Sequence, residues 1–235
     1  MHRRHVLIAA AAAPLAVPLA RVDRAMGGAP ATPVVLELFT SQGCSSCPPA
    51  DALLGELSRR SGVIALAWHV DYWDRLGWRD PYSSQLATQR QRTYADRLGA
   101  EVFTPGLVVD GGAMLVGSDR RAVEAALTSA VPLPVAVTLS RGAEGATARI
   151  GGAPGALSAL FATWDPVHDT AIGAGENDGR RLREFRIVRS AQVVASWDGA
   201  ARDLMLPAVA GGQGATVLVQ GADLRVQGAA ELAPV

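Results

Sequence analysis

Lysine is absent from this chain of 235 residues, so all 22 basic side chains are arginines. Its absence excludes Schiff-base chemistry on a lysine amine and the lysine of a phosphate-binding loop. An excess of either charge is also missing, because 22 acidic residues bring the formal net charge to +0. Without a basic field there is no electrostatic footprint for a polyanion, and nucleic acid is not an expected partner. Aromatics are sparse at 5%, while 49% hydrophobic and 19% charged residues make a globular composition. Cysteine is limited to Cys44 and Cys47.

A long apolar run is lacking as well. The best, Val6 to Ala20, is interrupted by Pro14 and Pro18 and is too short to span a membrane well. Behind Arg3 and Arg4 it reads as an export signal. Residues 1–31 are therefore expected to be a signal peptide and leader, and the mature chain to be periplasmic or secreted without stable membrane insertion. In an oxidising compartment a C-x-x-C pair can cycle between dithiol and disulfide.

From Val34 to about Ala130 the pattern alternates strand and helix. The apolar run Val34 to Phe39 predicts a strand, and Ala50, Leu53, Leu54 and Leu57 have helical spacing with Gly62 as a stop. Val63 to Val70 is nearly continuous in apolar residues, as a strand buried on both faces requires. A second helix fits Ser83 to Leu98, with Ser83 or Ser84 as cap and Gly99 as stop. Leu107 to Val109 and Ala113 to Val116 flank Asp110-Gly111-Gly112, a hairpin signal, and a last helix starts at Ser118 or Asp119. The order is β-α-β-α-β-β-α.

Val131-Pro132-Leu133-Pro134 reads as a linker, which divides the mature chain into residues 32–131 and 132–235. Beyond it, runs at Val135 to Leu139, Ala146 to Ile150, Leu157 to Trp164, Phe185 to Val188, Gln192 to Trp197 and Thr216 to Gln220 are separated by glycine-rich or polar turns. That pattern predicts a small antiparallel, sandwich-like β domain. Gly173 to Gly179 reads as a tight loop between strands, and His168 as a solvated loop histidine.

The two cysteines sit where the first strand gives way to the first helix. Amide donors and the helix dipole there favour a thiolate, which makes Cys44 a candidate nucleophile and Cys47 its resolving partner. A staple closing four residues would add only about 2 kcal/mol by loop entropy, so stabilisation is a weak reason for the pair. Cys44 is expected to be exposed and Cys47 more buried. His69 closes the second strand beside this turn. It fits three roles: a core histidine bonded to backbone, a proton carrier for the resolving thiol, or a third ligand to a cuprous ion held by Cys44 and Cys47. Tyr72, Trp73, Trp78 and Tyr82 follow, either as a wall over the disulfide or as packing against the carboxyl-terminal half. Asp74, Arg75, Arg79 and Asp80 read as a solvated ion network.

The order β-α-β-α-β-β-α with C-x-x-C after the first strand resembles the thioredoxin fold. The resemblance extends to Phe103-Thr104-Pro105-Gly106, which stands where thioredoxin-like proteins carry a cis proline facing the disulfide. It implies a cis Thr104-Pro105 bond lying against Cys44. Ser45-Ser46 between the cysteines and Pro48-Pro49 after them depart from the thioredoxin pattern.

Three further segments are Phe39-Thr40-Ser41-Gln42-Gly43-Cys44-Ser45-Ser46-Cys47-Pro48-Pro49, His69-Val70-Asp71-Tyr72-Trp73-Asp74 with Gly77-Trp78-Arg79-Asp80, and Gly175-Glu176-Asn177-Asp178-Gly179-Arg180. Together they resemble the bacterial family called domain of unknown function 1223, which implies an exported thioredoxin-like domain with a β-rich tail. The expected function is a thiol-disulfide oxidoreductase acting on protein or peptide thiols and disulfides, with no cofactor. The alternatives are a copper-handling protein using Cys44, Cys47 and His69, and a non-catalytic binding module with a fixed disulfide.

Overall fold

In the computed structural model, which describes residues 32–142 and 145–235, the first apolar run is strand β1, Val34–Thr40. The export signal expected over residues 1–31 lies outside the described residues. Helix α1, Pro48–Leu57, follows with prolines in its first turn, where no amide donor is needed. Strand β2, Val63–His69, runs parallel to β1 in register from Val34↔Val63 to Thr40↔His69. A short 3-10 helix, Asp74–Leu76, leads to α2, Gln85–Leu98. The Ser84 side chain caps α2 by accepting from Ala87 N, and Gly99 ends it in the left-handed conformation at φ 61°.

Strands β3, Gly106–Val109, and β4, Ala113–Val116, form the expected hairpin. Asp110 and Gly111 both have positive φ, at 48° and 67°, as a tight antiparallel turn of this hand demands. Helix α3, Arg120–Ser129, begins at the Asp119 cap. The sequence order β-α-β-α-β-β-α is thus observed, with the strands ordered β2-β1-β3-β4 and β3 antiparallel to β1.

Beyond the linker come β5, Val137–Gly142; β6, Gly145–Ile150; β7, Leu157–Ala171; β8, Arg181–Trp197; β9, Arg202–Leu206; β10, Gly214–Gly221; and β11, Val226–Leu232. They do not form a separate sheet system. β8 joins the edge of β2 through the parallel pair Ala67↔Ile187, giving one eight-stranded sheet in the order β11-β10-β7-β8-β2-β1-β3-β4. β5, β6 and β9 make a second sheet of three strands. The described residues from 32 to 235 make one compact unit, which includes the segment 131–134.

Side-chain alternation along the strands divides the interior into three cores. Leu36, Leu38, Ala65, Ala67, Leu107 and Val109 meet Leu53, Leu54 and Leu57 of α1 and Val123 of α3. On the opposite face Val35, Phe39, Ile64, Leu66, Trp68 and Val108 pack with Ala87 and Tyr94 of α2. That same core takes in Leu160, Trp164, Val188, Leu218 and Val226, so the eight-stranded sheet curls until its far strands cover its near ones. The third core lies between the two sheets, where Ala148, Ile150 and Leu204 face Phe161, Val217 and Val219.

Two close approaches seal the halves together. Gly55 of α1 lies under Phe185 of β8 so tightly that a Cβ there would stand 2.2 Å from the ring. Arg186, in β8 at φ 58°, donates to the Ala65 carbonyl at 3.1 Å, stacks on Trp164 at 3.7 Å and pairs with Glu231.

Candidate functional site: the disulfide turn and the acid cluster beneath it

The turn from β1 to α1 carries a disulfide between Cys44 and Cys47, whose Cα atoms are 5.4 Å apart. Backbone bonds wind it tightly: Cys44 N donates to the Ser41 carbonyl and Cys47 N to the Cys44 carbonyl. Ala50 N and Asp51 N both take the Cys47 carbonyl, so Cys47 is the entry residue of α1. The Ser46 hydroxyl lies 3.3 Å from the Cys44 sulfur. Ser45 and Ser46 are exposed, but Cys44 and Cys47 are both 0% exposed. The expected contrast between an exposed Cys44 and a buried Cys47 is therefore corrected: both are covered, because other segments close over the turn.

One covering segment is the aromatic loop after β2. Trp73 packs its Cβ against Gly43 and donates from its ring nitrogen to the Thr104 hydroxyl at 2.8 Å. Tyr72 donates to Gln91 at 3.2 Å. These contacts join the cysteine turn to Thr104-Pro105, whose peptide bond is cis, as expected. Pro105 immediately precedes β3, and the pair Phe39↔Gly106 sets it opposite the end of β1, from which the cysteine turn departs. Trp78 bridges the cysteine turn and the other half, and Tyr82 faces the other half. Trp78 lies against Gly173 and Gly175 and donates to Gln42 Oε1 at 3.0 Å. Tyr82 stacks on His168 at 5.1 Å. The two readings of this loop each describe part of it.

The other covering segment is the loop between β7 and β8. Asn177, fully buried, donates from Nδ2 to the carbonyls of Gln42 at 2.9 Å and Cys44 at 3.0 Å. Arg180 holds the Asn177 oxygen at 2.7 Å, and the Glu176 carboxylate accepts from Ser45 N at 3.0 Å. His168, expected in a solvated loop, is on β7 and bonds Asp165 at 2.8 Å. The strand was hidden because this arm of the hairpin is polar along its exposed face.

Beneath the turn lies a cluster of buried ionisable groups. His69, the last residue of β2, donates from Nδ1 to Asp80 Oδ2 at 2.7 Å, and its Nε2 is 3.9 Å from Glu184 Oε1. It is not a core histidine bonded to backbone; its partners are carboxylates. Burial disfavours its charged form, but the Asp80 carboxylate and hydrogen bond, with Glu184 and Asp51, outweigh that and raise the imidazole to about 9. Asp80 belonged in the expected solvated network and is instead buried, at 2% exposure. Burial pushes its carboxyl up, yet His69 and the amides of Gln42 and Tyr82 hold it below the ordinary range. Asp51 on α1 is raised to about 7, first by burial and then by the Glu184 charge. Burial likewise raises Glu184.

Gln42 connects this cluster to the cysteines. Its amide N donates to Asp80 at 2.9 Å and its side chain donates to Glu184 Oε2 at 2.6 Å. Asp51, Glu184, Gln42, Glu176 and Asn177 were not singled out as site residues from the sequence. Glu184 did leave a trace there, since it shares the inward phase of β8 with buried Leu182 and Arg186. As for cuprous ligands, the two sulfurs are bonded to each other and His69 Nδ1 faces Asp80. Among the described residues no three His, Cys, Asp or Glu side chains are gathered to hold a metal ion.

No curated protein matches the chain. Among solved structures, a crystal structure of an Agrobacterium tumefaciens protein is similar, with 31% identity, a TM-score of 0.78, and coverage of 87% of this chain and 96% of that one. A Porphyromonas gingivalis protein named HBP35 shares the fold at 15% identity, with a TM-score of 0.54 over 87% of this chain and 76% of its own. The family model described as protein of unknown function (DUF1223) matches residues 35–220, which span both halves and every residue of the disulfide turn, the acid cluster and the covering loops. The chain therefore belongs to the DUF1223 family.

Proposed function

We propose that this protein is an exported thiol-disulfide oxidoreductase, built on a thioredoxin-like fold and acting on protein or peptide thiols and disulfides. The observation that carries the reading is the Cys44–Cys47 disulfide at the junction of β1 and the first turn of α1. The β2-β1-β3-β4 strand order, with α1 and α3 against one face and α2 against the other, supports the thioredoxin-like assignment. The leader read in residues 1–31 supports export.

In the oxidising direction for substrate, a substrate thiolate attacks the Cys44 sulfur, forming a mixed disulfide as the Cys44–Cys47 bond breaks and Cys47 leaves as thiolate. A second substrate thiolate then attacks the substrate sulfur of that mixed disulfide and expels the Cys44 thiolate, so the substrate is oxidised and the protein takes up two electrons. In the reducing direction the Cys44 thiolate attacks a substrate disulfide and expels one substrate thiolate, leaving a mixed disulfide. The Cys47 thiolate then attacks the Cys44 sulfur, the second substrate thiolate leaves, and two electrons have passed to the substrate. The cluster below the turn contains Asp51, whose carboxyl is pushed up to about 7 and so changes protonation near neutral pH, which suits a site where thiol protons come and go. Insulin reduction and oxidative refolding of a reduced test protein should proceed with the wild type and fail with Cys44→Ser. Inactivity of the wild type in both directions would overturn the proposal.

A second reading, a binding module with a fixed disulfide, is favoured by the complete burial of both cysteines. It expects a reduction potential below about −300 mV, where the glutathione pool does not reduce the bond.

A further inference from the structure

The amide that follows Cys44 is already taken. Ser45 N, one residue from the sulfur and exposed, points at Glu176 Oε2 at 3.0 Å, across 131 positions of sequence. A thiolate at the start of a helix is ordinarily stabilised by such free amides and by the positive end of the dipole. Here a carboxylate from another part of the chain accepts that donor and brings a negative charge to the same turn.

The placement of Glu176 is structural. Its neighbour Asn177 is fully buried and bonds the Gln42 and Cys44 carbonyls, with Arg180 fixing its oxygen. Gly175, at φ 76°, lies so close to Trp78 that a Cβ there would stand 3.2 Å from Trp78 Cβ. Gly179 N closes the loop on the Ile172 carbonyl at 3.0 Å. The Ser45 contact in turn holds the Glu176 carboxyl below its ordinary range, so it is ionised at neutral pH.

We propose that Glu176 is a positioning residue for the thiol chemistry: it occupies the Ser45 amide and disfavours a thiolate on Cys44, which keeps the pair oxidised more firmly than the helix start alone would. The inference rests on the reading of Cys44 as the reactive thiol. Both effects have one sign. Anything that stabilises the Cys44 thiolate stabilises the reduced protein, and Glu176 opposes it.

Glu176→Gln isolates the charge, because its amide oxygen can still accept from Ser45 N. In a Cys47→Ser background, which leaves Cys44 as the only thiol, the pH dependence of iodoacetamide alkylation reads the Cys44 thiolate directly. Glu176→Gln should raise the thiolate fraction at pH 7 about three- to tenfold at low salt. The difference should shrink in about 1 M salt, where the screening length falls to roughly 3 Å. With both cysteines present, the equilibrium with glutathione should move toward the reduced protein by a similar factor. An unchanged or smaller thiolate fraction in Glu176→Gln overturns the inference, as does a difference indifferent to salt. The outcome is separable from the oxidoreductase reading. Inactive wild type with a more acidic thiol in Glu176→Gln sinks that reading alone, whereas active wild type with an unchanged thiol sinks this one.

Discussion

Among single residues, the charges buried under the cysteine turn carry the most weight. His69 and Asp80 form a fully buried pair at 2.7 Å, and Asp80 also accepts from Gln42 N and Tyr82 N. Removing one partner leaves the other charge uncompensated, which costs about 3–5 kcal/mol for a buried pair. Asp80→Ala should lose about that much stability in chemical denaturation. It should also free Gln42, and with it the Cys44 turn, which faster alkylation of the reduced thiols would register. The pH dependence has a definite sign. His69 is raised from 6.5 to about 9, so its contribution to stability is complete below about 6.5 and is lost as pH rises through 9. Asp51 is raised from 3.8 to about 7, so the native state holds a proton that the unfolded chain releases, and stability falls as pH rises from about 4 to 7. Wild-type stability should therefore decline from about pH 4 to 9. Asp51→Asn should flatten the lower part of that decline, gaining on the order of 4 kcal/mol over wild type by pH 8. Denaturation midpoints measured across this range for the disulfide form check both, and a wild-type profile rising between pH 5 and 8 would contradict the assignment.

At the scale of elements, the seam between α1 and β8 positions the cluster, because Asp51 comes from the helix and Glu184 from the strand. Gly55 permits that approach. Alanine would suit the helix by about 1 kcal/mol, but its Cβ would meet Phe185 at 2.2 Å. Gly55→Ala should then be destabilising by about 1–3 kcal/mol net. Combining it with Phe185→Ala should recover part of the loss, a coupling that a double-mutant cycle measures. The elements before the linker were legible in the sequence because their signals are local: continuous apolar runs, the Ser84 and Asp119 caps, the Gly99 stop, and the Asp110-Gly111 turn. Strands β9 and β11 were not. The first is a short run carrying Arg202 and Asp203, and the second is diluted by Gly228, Ala229 and Ala230, so neither shows clean alternation. The outer halves of β7 and β8 were missed for a related reason, since Asp169, Arg181 and Arg183 line an arm that is largely exposed. The same limit applies to the site. As candidates, Cys44, Cys47, His69 and Thr104-Pro105 were legible by motif and position. Asn177 and Glu176 act from more than 130 residues away, and only the folded hairpin brings them to the turn.

At the scale of the whole molecule, a single sheet crosses the linker and its far strands share a core with β1, β2 and α2. Unfolding of the disulfide form should accordingly be one cooperative transition. The piece 32–131 alone should not reach native stability, since it would expose the edge of β2 and the apolar face that Leu160, Trp164 and Leu218 cover. Two resolved transitions in calorimetry would speak against that. The completeness of this closure also bears on the chemistry, because both sulfurs lie inside it while their turn is held from outside by the β7–β8 loop. The proposed chemistry requires the Cys44–Cys47 bond to cycle. Equilibration of the intact protein in glutathione buffers of graded potential, with the free thiols trapped and counted, tests it most directly. A cycling bond should show a midpoint above about −300 mV, with both cysteines titrating as one two-electron couple; a bond that stays oxidised below that potential would contradict the oxidoreductase proposal and identify the disulfide as a fixed part of the fold.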